Sequence, residues 1–280
     1  MLADIPSQEN RDKAQAVYSA GNFMAMNQYV KDFLKLLDDI KASKTRHDIY
    51  SDWLTMTAAA LYSWKNDKST EEEYQNIARQ YSQDELKKHS ELLEITVNAL
   101  EKNDQDFLGE VFTFGELTNE RNAQFFTPYN ISRMMAAMMV SQNEPRKGRV
   151  IRVNDPTCGA GGMLVAVCDV MKNVAGINYQ QDVYFVGQDI DARCARMAYI
   201  QLSLLGAPAL IICGNTLTMQ TYWQRETIGY HISGIDFRLR AEALLDFMAN
   251  IEAPKEEKIR SPPETINVPA SKEFIQGELF

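Results

Sequence analysis

From Asn27 onward, apolar residues fall three and four apart: Tyr29, Val30, Phe33, Leu34, Leu37 and Ile40. That spacing places them on one face of a helix. A polar stretch over 41–48 predicts a loop. A second, more uniformly apolar helix is expected over 53–64. Tyr74, Ile77, Ala78 and Tyr81 mark a third helix. Residues 86–100 mark a fourth, with Asp84 as its cap. Residues 1 to 22 have weak periodicity and suggest an arm or a short helix. Nothing here alternates like a strand, so residues 1–105 are expected to form a helical N-terminal domain with short loops. The aromatics Trp53, Tyr62 and Trp64 could stack on a base, but their helical spacing favours core. Another helix is expected over 107–117. Pro128 then breaks the chain, and Thr127 can cap a helix over 129–140 whose Met134, Met135, Met138 and Met139 form an adaptable apolar face.

The pattern changes after residue 150. A short apolar run ends in Asp155 and is followed by Gly159, Gly161 and Gly162, then by a helical stretch over 163–174. A second apolar run, 183–186, ends in Gly187-Gln188-Asp189-Ile190-Asp191. After a helix over 192–205, a third run, 209–213, closes on Gly214-Asn215-Thr216-Leu217. Strands alternating with helices predict an α/β fold with a parallel sheet, in which ligands sit beyond the carboxyl ends of the strands. Asp155, Asp189 and Asn215 each follow a strand and should line one crevice. This domain is expected to span 106–250. Within it, 222–237 reads as irregular, with Tyr230-His231-Ile232 as an edge strand, and 241–248 as a short helix. Prolines and charges dominate beyond Glu252, so 251–280 is expected to be a flexible tail.

Composition narrows the functional classes. The 280 residues carry a net charge of −9, which makes the chain a poor generic binder of nucleic acid or anionic membrane. The exception is 121–152, where Arg121, Arg133, Arg146, Lys147, Arg149 and Arg152 face a single acid, Glu144. This stretch is either a phosphate-contacting rim or a solvated turn. Cys158, Cys168, Cys194 and Cys213 lie far apart, as do the histidines, which predicts neither a zinc site nor a disulfide framework. No apolar run approaches the ~18–20 residues that span a bilayer. A protein of the cytoplasm is expected, without membrane contact.

Three strand-end polar groups in phase point to a nucleoside ligand. An acid after the second strand can grip two ribose hydroxyls, and an amide after the third can read an adenine edge. A nicotinamide dinucleotide would use similar features, but favours Gly-x-Gly-x-x-Gly and an acid about 20 residues beyond the first strand. The turn Gly159-Ala160-Gly161-Gly162 has no third glycine at the expected offset, and Asp189 lies farther on than that. Both departures favour S-adenosylmethionine.

Asp155-Pro-Thr-Cys-Gly-Ala-Gly-Gly-Met-Leu164 resembles the cofactor motif of N6-adenine-specific DNA methyltransferases, above all the modification subunits of type I restriction systems. Gln124-Phe-Phe-Thr-Pro128, Gly187-Gln-Asp-Ile-Asp191 and Gly214-Asn-Thr-Leu217 resemble the flanking motifs, in the family's order. The resemblance covers about 107 to 217. It implies a Rossmann-like S-adenosylmethionine-dependent methyltransferase sheet, methyl transfer to adenine N6 in DNA, and DNA and a specificity or other subunit as partners. By resemblance Phe126, Thr127 and Pro128 border the methionine moiety. Asp155, Cys158, Gly159 and Gly161 form the loop beneath it, Asp189 binds the ribose and Asn215 lies by the adenine. The family's Asn/Asp-Pro-Pro-Tyr/Phe box, whose aromatic ring stacks on the flipped base, has no counterpart in this sequence. The single Pro-Pro pair, in Ser261-Pro262-Pro263-Glu264, lacks the aromatic residue and follows a charged run. No catalytic residue is assigned, and a donor-binding or DNA-regulatory protein that does not transfer methyl groups is the alternative. Gln276, Leu279 and Phe280 resemble the peptide that docks on the replication sliding clamp.

Overall fold

The computed structural model describes residues 27–103, 105–117, 126–142 and 148–252. The expected N-terminal arm, most of the tail and the clamp-like peptide lie outside them. The chain divides into two compact units, Met1–Glu242 and Ala243–Phe280.

Six helices precede the first strand among the described residues: α1 Gln28–Asp38, α2 Arg46–Tyr62, α3 Lys68–Ala78, α4 Gln83–Lys102, α5 Phe107–Phe114 and α6 Tyr129–Gln142. Their starts are set by caps. The Asn27 side chain accepts from Tyr29 N and opens α1. A reciprocal box of Thr45 and Asp48 opens α2 at Arg46, inside the stretch expected to be a loop. The cap of α4 is Ser82, boxed with Glu85, rather than Asp84. Phe33, Trp53 and Phe107 meet edge to face at 5.0 and 5.9 Å, binding α1, α2 and α5. Trp53 is fully buried, as its helical spacing indicates.

The sheet has the order β1 Ile151–Asp155, β2 Val183–Asp189, β3 Ala209–Asn215, β4 Gln220–Glu226. The first three strands are parallel, with Asp155 level with Gly187 and Asp189 level with Cys213. Helix α7, Gly162–Asn173, and the single turn α8, Tyr179–Asp182, link β1 to β2, and α9, Ala192–Leu204, links β2 to β3. Val183, Phe185, Gly187, Ala209, Ile211 and Cys213 alternate on one face and are buried, whereas Tyr184, Val186, Leu210 and Ile212 opposite are half-buried. The helices before β1 share one hydrophobic core with the sheet and its helices.

Strand β4 pairs antiparallel with β3 and occupies part of the stretch read as irregular. Tyr230, His231 and Ile232, expected in an edge strand, instead belong to α10, Ile228–Ile232. Thr227 supplies the reason. Its hydroxyl donates to Ala207 O at 2.6 Å and accepts from Ala209 N at 3.0 Å, pinning the end of β4 to the start of β3. The chain has already used its edge and turns away. Helix α11, Ile235–Glu252, is longer than expected. Its first half passes the amino ends of the strands, where Arg238 meets Gln181 O at 2.6 Å and Glu242 meets Val150 N at 2.6 Å.

Candidate functional site

The turn after β1 is built by its glycines. Gly159 has φ +54 and Gly161 φ +90, the left-handed region that favours residues without a Cβ. Space enforces the same choice. A Cβ on Gly161 would stand 3.1 Å from Ala198 of α9, and one on Gly159 would stand 2.9 Å from the Phe126 ring. Within the turn Gly161 N donates to Cys158 O at 2.8 Å.

The turn is tied to the ends of the other parallel strands. Cys158 N donates to Gln188 O at 2.8 Å and Gly159 N to Asp189 Oδ2 at 2.9 Å, joining it to β2. Thr216 Oγ1 donates to Pro156 O at 2.6 Å, joining the loop after β1 to that after β3. These bonds tie together the loops that follow β1, β2 and β3, in which Asp155, Asp189 and Asn215 are the strand-end polar residues.

Each polar group at the strand ends is partly used. Asp155 Oδ1 accepts from Thr157 N at 3.1 Å. Asp189 accepts from Gly159 N on one oxygen and from Asp191 N, at 2.8 Å, on the other. A carboxylate has about four lone-pair sites, so both oxygens of Asp189 keep accepting capacity. Burial pushes the carboxyls of Asp155 and Asp189 above their ordinary range, while these backbone bonds pull the other way. Neither makes an ion pair among the described residues. Asn215 Oδ1 accepts from Leu217 N at 2.9 Å and Thr218 N at 3.2 Å, so its carbonyl holds the turn and its amide nitrogen is the group available for recognition.

The residues expected before β1 distribute unevenly. The Phe126 ring packs on Gly159 and lies 5.4 Å from the Phe112 ring. Pro128 O accepts from Ser132 N at 3.1 Å and starts α6, and Thr127 is exposed beside it. Cys158 is 6% exposed and sits near Leu164 and Gly187 under the turn, its thiol pushed far up by burial. All four cysteines are free and buried. No metal-binding cluster occurs among the described residues, and no helix of theirs is long and apolar enough to cross a membrane.

Two members of the basic stretch are paired within the chain, Arg133 with Asp169 at 2.6 Å and Arg152 with Glu242 at 2.9 Å, while both arginine side chains stay exposed. Arg121, Arg146 and Lys147 lie outside the described residues.

Two features were missed in the sequence. Ile190 and Leu217 stand 57% and 96% exposed at the ends of β2 and β3, an apolar rim beside the polar groups. Their signal was position, each one or two residues past a strand-end polar residue. The other is Gln201, fully buried on α9. Its amide donates to Ala160 O in the turn and to Asp106 Oδ1, both at 2.8 Å. A lone amide on an apolar helical face was its signal.

A mixed sheet, parallel over β1 to β3 and flanked by helices, with a glycine turn and two acids at the carboxyl ends of its parallel strands, makes this an α/β protein. Residues 103–243 match the N-6 DNA Methylase family across half of the chain, and the chain belongs to that family. Among solved structures it is similar to a Listeria monocytogenes protein provisionally assigned as a class I S-adenosylmethionine-dependent methyltransferase. There the identity is 16%, the TM-score 0.38, and the match covers 66% of this chain and 52% of that one. It is also similar to the type I restriction-modification system methyltransferase subunit from Streptococcus thermophilus, at 12% identity and a TM-score of 0.36, over 65% of this chain and 55% of that one. The chain spans about half the length of both.

Proposed function

We propose that the chain binds S-adenosylmethionine at the carboxyl ends of β1, β2 and β3 and works in methyl transfer to adenine N6 of DNA. The observation that supports this reading is the cross-tying of three strand-end loops around Asp155, Asp189 and Asn215. The residues suit the ligand. A ribose diol offers two hydroxyl donors, and Asp189 keeps accepting capacity on both oxygens. The adenine ring suits the exposed Ile190 and Leu217 and the Asn215 amide nitrogen. The methionine end suits the Gly159–Gly161 cradle under Phe126, where a Cβ would collide. When bound, the ligand supplies a methyl group on a positively charged sulfur. The chain's own residues hold and orient it, and its acidic rim suits that charge. DNA is the substrate in this reading, and a specificity or other subunit supplies the contacts that an acidic chain makes poorly alone.

One observation favours a second reading. The 280 residues contain no Asn/Asp-Pro-Pro-Tyr/Phe box to hold a flipped adenine. In that reading the chain binds the donor as a regulatory protein and transfers nothing. A paired experiment separates the two. Calorimetric titration with S-adenosylmethionine should show binding that Asp189→Ala weakens about a hundredfold, since two hydrogen bonds to a charged group are lost. Tritium transfer to mixed-sequence DNA is then measured. No binding by the wild type ends both readings. Binding without transfer, with and without candidate partner subunits, ends the enzymatic one.

A further inference from the structure

Three helices meet just beneath the glycine turn at one buried carboxylate and one buried amide. Asp106 caps α5, its Oδ1 accepting from Gly109 N at 3.1 Å, and is 5% exposed. Its Oδ2 lies where a Cβ on Gly162, the first residue of α7, would stand 2.5 Å away. Gln201 reaches across from α9. Besides its two donated bonds, its Oε1 accepts from Leu108 N at 3.1 Å. Only one orientation of the amide works. Turned over, its oxygen would face the Asp106 carboxylate and the Ala160 carbonyl, and its nitrogen would face an N–H donor.

We propose that Gln201, oriented by Asp106, is a positioning residue for donor binding: by holding the Ala160 carbonyl it sets the glycine turn and couples it to α5 of the N-terminal helices. The inference rests on the donor-binding reading above. In a planar trans peptide, C=O and N–H point in opposite directions. With Ala160 O held toward Gln201, the following N–H, that of Gly161, is aimed at Cys158 O, the bond that closes the turn. Gly161 then takes φ +90 and α7 begins. Without the Gln201 bond this peptide is free to rotate, and the Gly159 N–H that faces Asp189 shifts with it. Coupling of this kind is reciprocal, so a ligand that orders the turn also steadies the first turn of α5.

The test uses the full chain, S-adenosylmethionine calorimetry and thermal unfolding. Gln201→Leu keeps the volume and removes all three bonds, and donor affinity should fall by about tenfold or more. Asp106→Ala removes the cap of α5 and the bond to Gln201 but leaves the Gln201 amide between Leu108 N and the Ala160 carbonyl. It should lower the thermal midpoint at least as far as Gln201→Leu does, while donor affinity falls by only about threefold. A purely architectural pair would lose affinity to the same extent in both variants, and that result overturns the proposal. So does a Gln201→Leu affinity within about twofold of wild type. Should Gln201→Leu not fold, Gln201→Asn keeps the amide, shortens its reach by one methylene and is read by the same criterion. A wild type that binds no donor overturns the donor-binding reading itself, and this inference with it.

Discussion

The two ends of the same sheet treat their charges in opposite ways. At the amino ends of the strands, carboxylates are matched by arginines. Arg238 pairs with Asp182 at 3.0 Å and Arg152 with Glu242 at 2.9 Å, while Glu242 also takes the buried N–H of Val150. At the carboxyl ends, Asp155 and Asp189 are held by backbone N–H groups alone, and burial raises both. One end is satisfied within the chain. The other keeps half-buried acceptors with spare lone pairs, an arrangement suited to a polar ligand. The difference separates an end whose charges are matched within the chain from one that keeps accepting capacity.

The sharpest way to break this contrast is at the turn itself. Gly161→Ala forces a side chain into φ +90 and against Ala198. It should cost about 3 kcal/mol, seen in denaturant melts, together with donor binding. At the opposite end, Glu242→Leu leaves Val150 N buried without a partner and should cost about 2 kcal/mol, while donor affinity in the folded fraction stays as in the wild type. Equal damage to donor affinity from both variants would erase the distinction.

A titration sharpens it. Glu110 on α5 is held up at about 7 by burial and by neighbouring Asp106. Its folded value lies above its unfolded one. Its contribution to stability is therefore full below about pH 4.5 and is lost as pH rises through 7. Glu110→Gln should remove that loss and raise stability at pH 8 by about 1 to 2 kcal/mol, part of the effect being screened by solvent. A variant with the wild-type pH slope would show that Glu110 is not the group involved. The smallest expected effect belongs to Thr216→Val, which unties the loop after β3 from Pro156 O. It should cost about 1 kcal/mol or less of stability and show mainly as weaker donor binding.

Where periodicity is the signal, the sequence was readable. The βαβαβ order, the strand-end positions of Asp155, Asp189 and Asn215, and the aromatic core at Trp53 all followed from spacing. Helix starts were less readable. The boxes of Thr45 with Asp48 and Ser82 with Glu85 compete with other polar residues nearby, and geometry decides which side chain turns back on the backbone. Strand β4, Gln220–Glu226, was hidden because it is polar and mostly exposed, so no alternation marks it. The pairing of Asp106 with Gln201 spans 95 residues. No local pattern encodes it. It arises only when α5 and α9 pack on the same turn.

Among the described residues β1 has a neighbour on one side only. Successive residues of a strand direct their backbone groups to alternate edges, so Arg152 and Asn154 share the outer edge with Val150. An edge of this kind is a template for a strand from another molecule. Glu242 occupies its first N–H, and the guanidinium of Arg152 is drawn alongside by the same carboxylate. The acid that holds the start of β1 thus also covers the start of this edge. Loss of Glu242 should be judged by the fraction of protein that self-associates as well as by its melt.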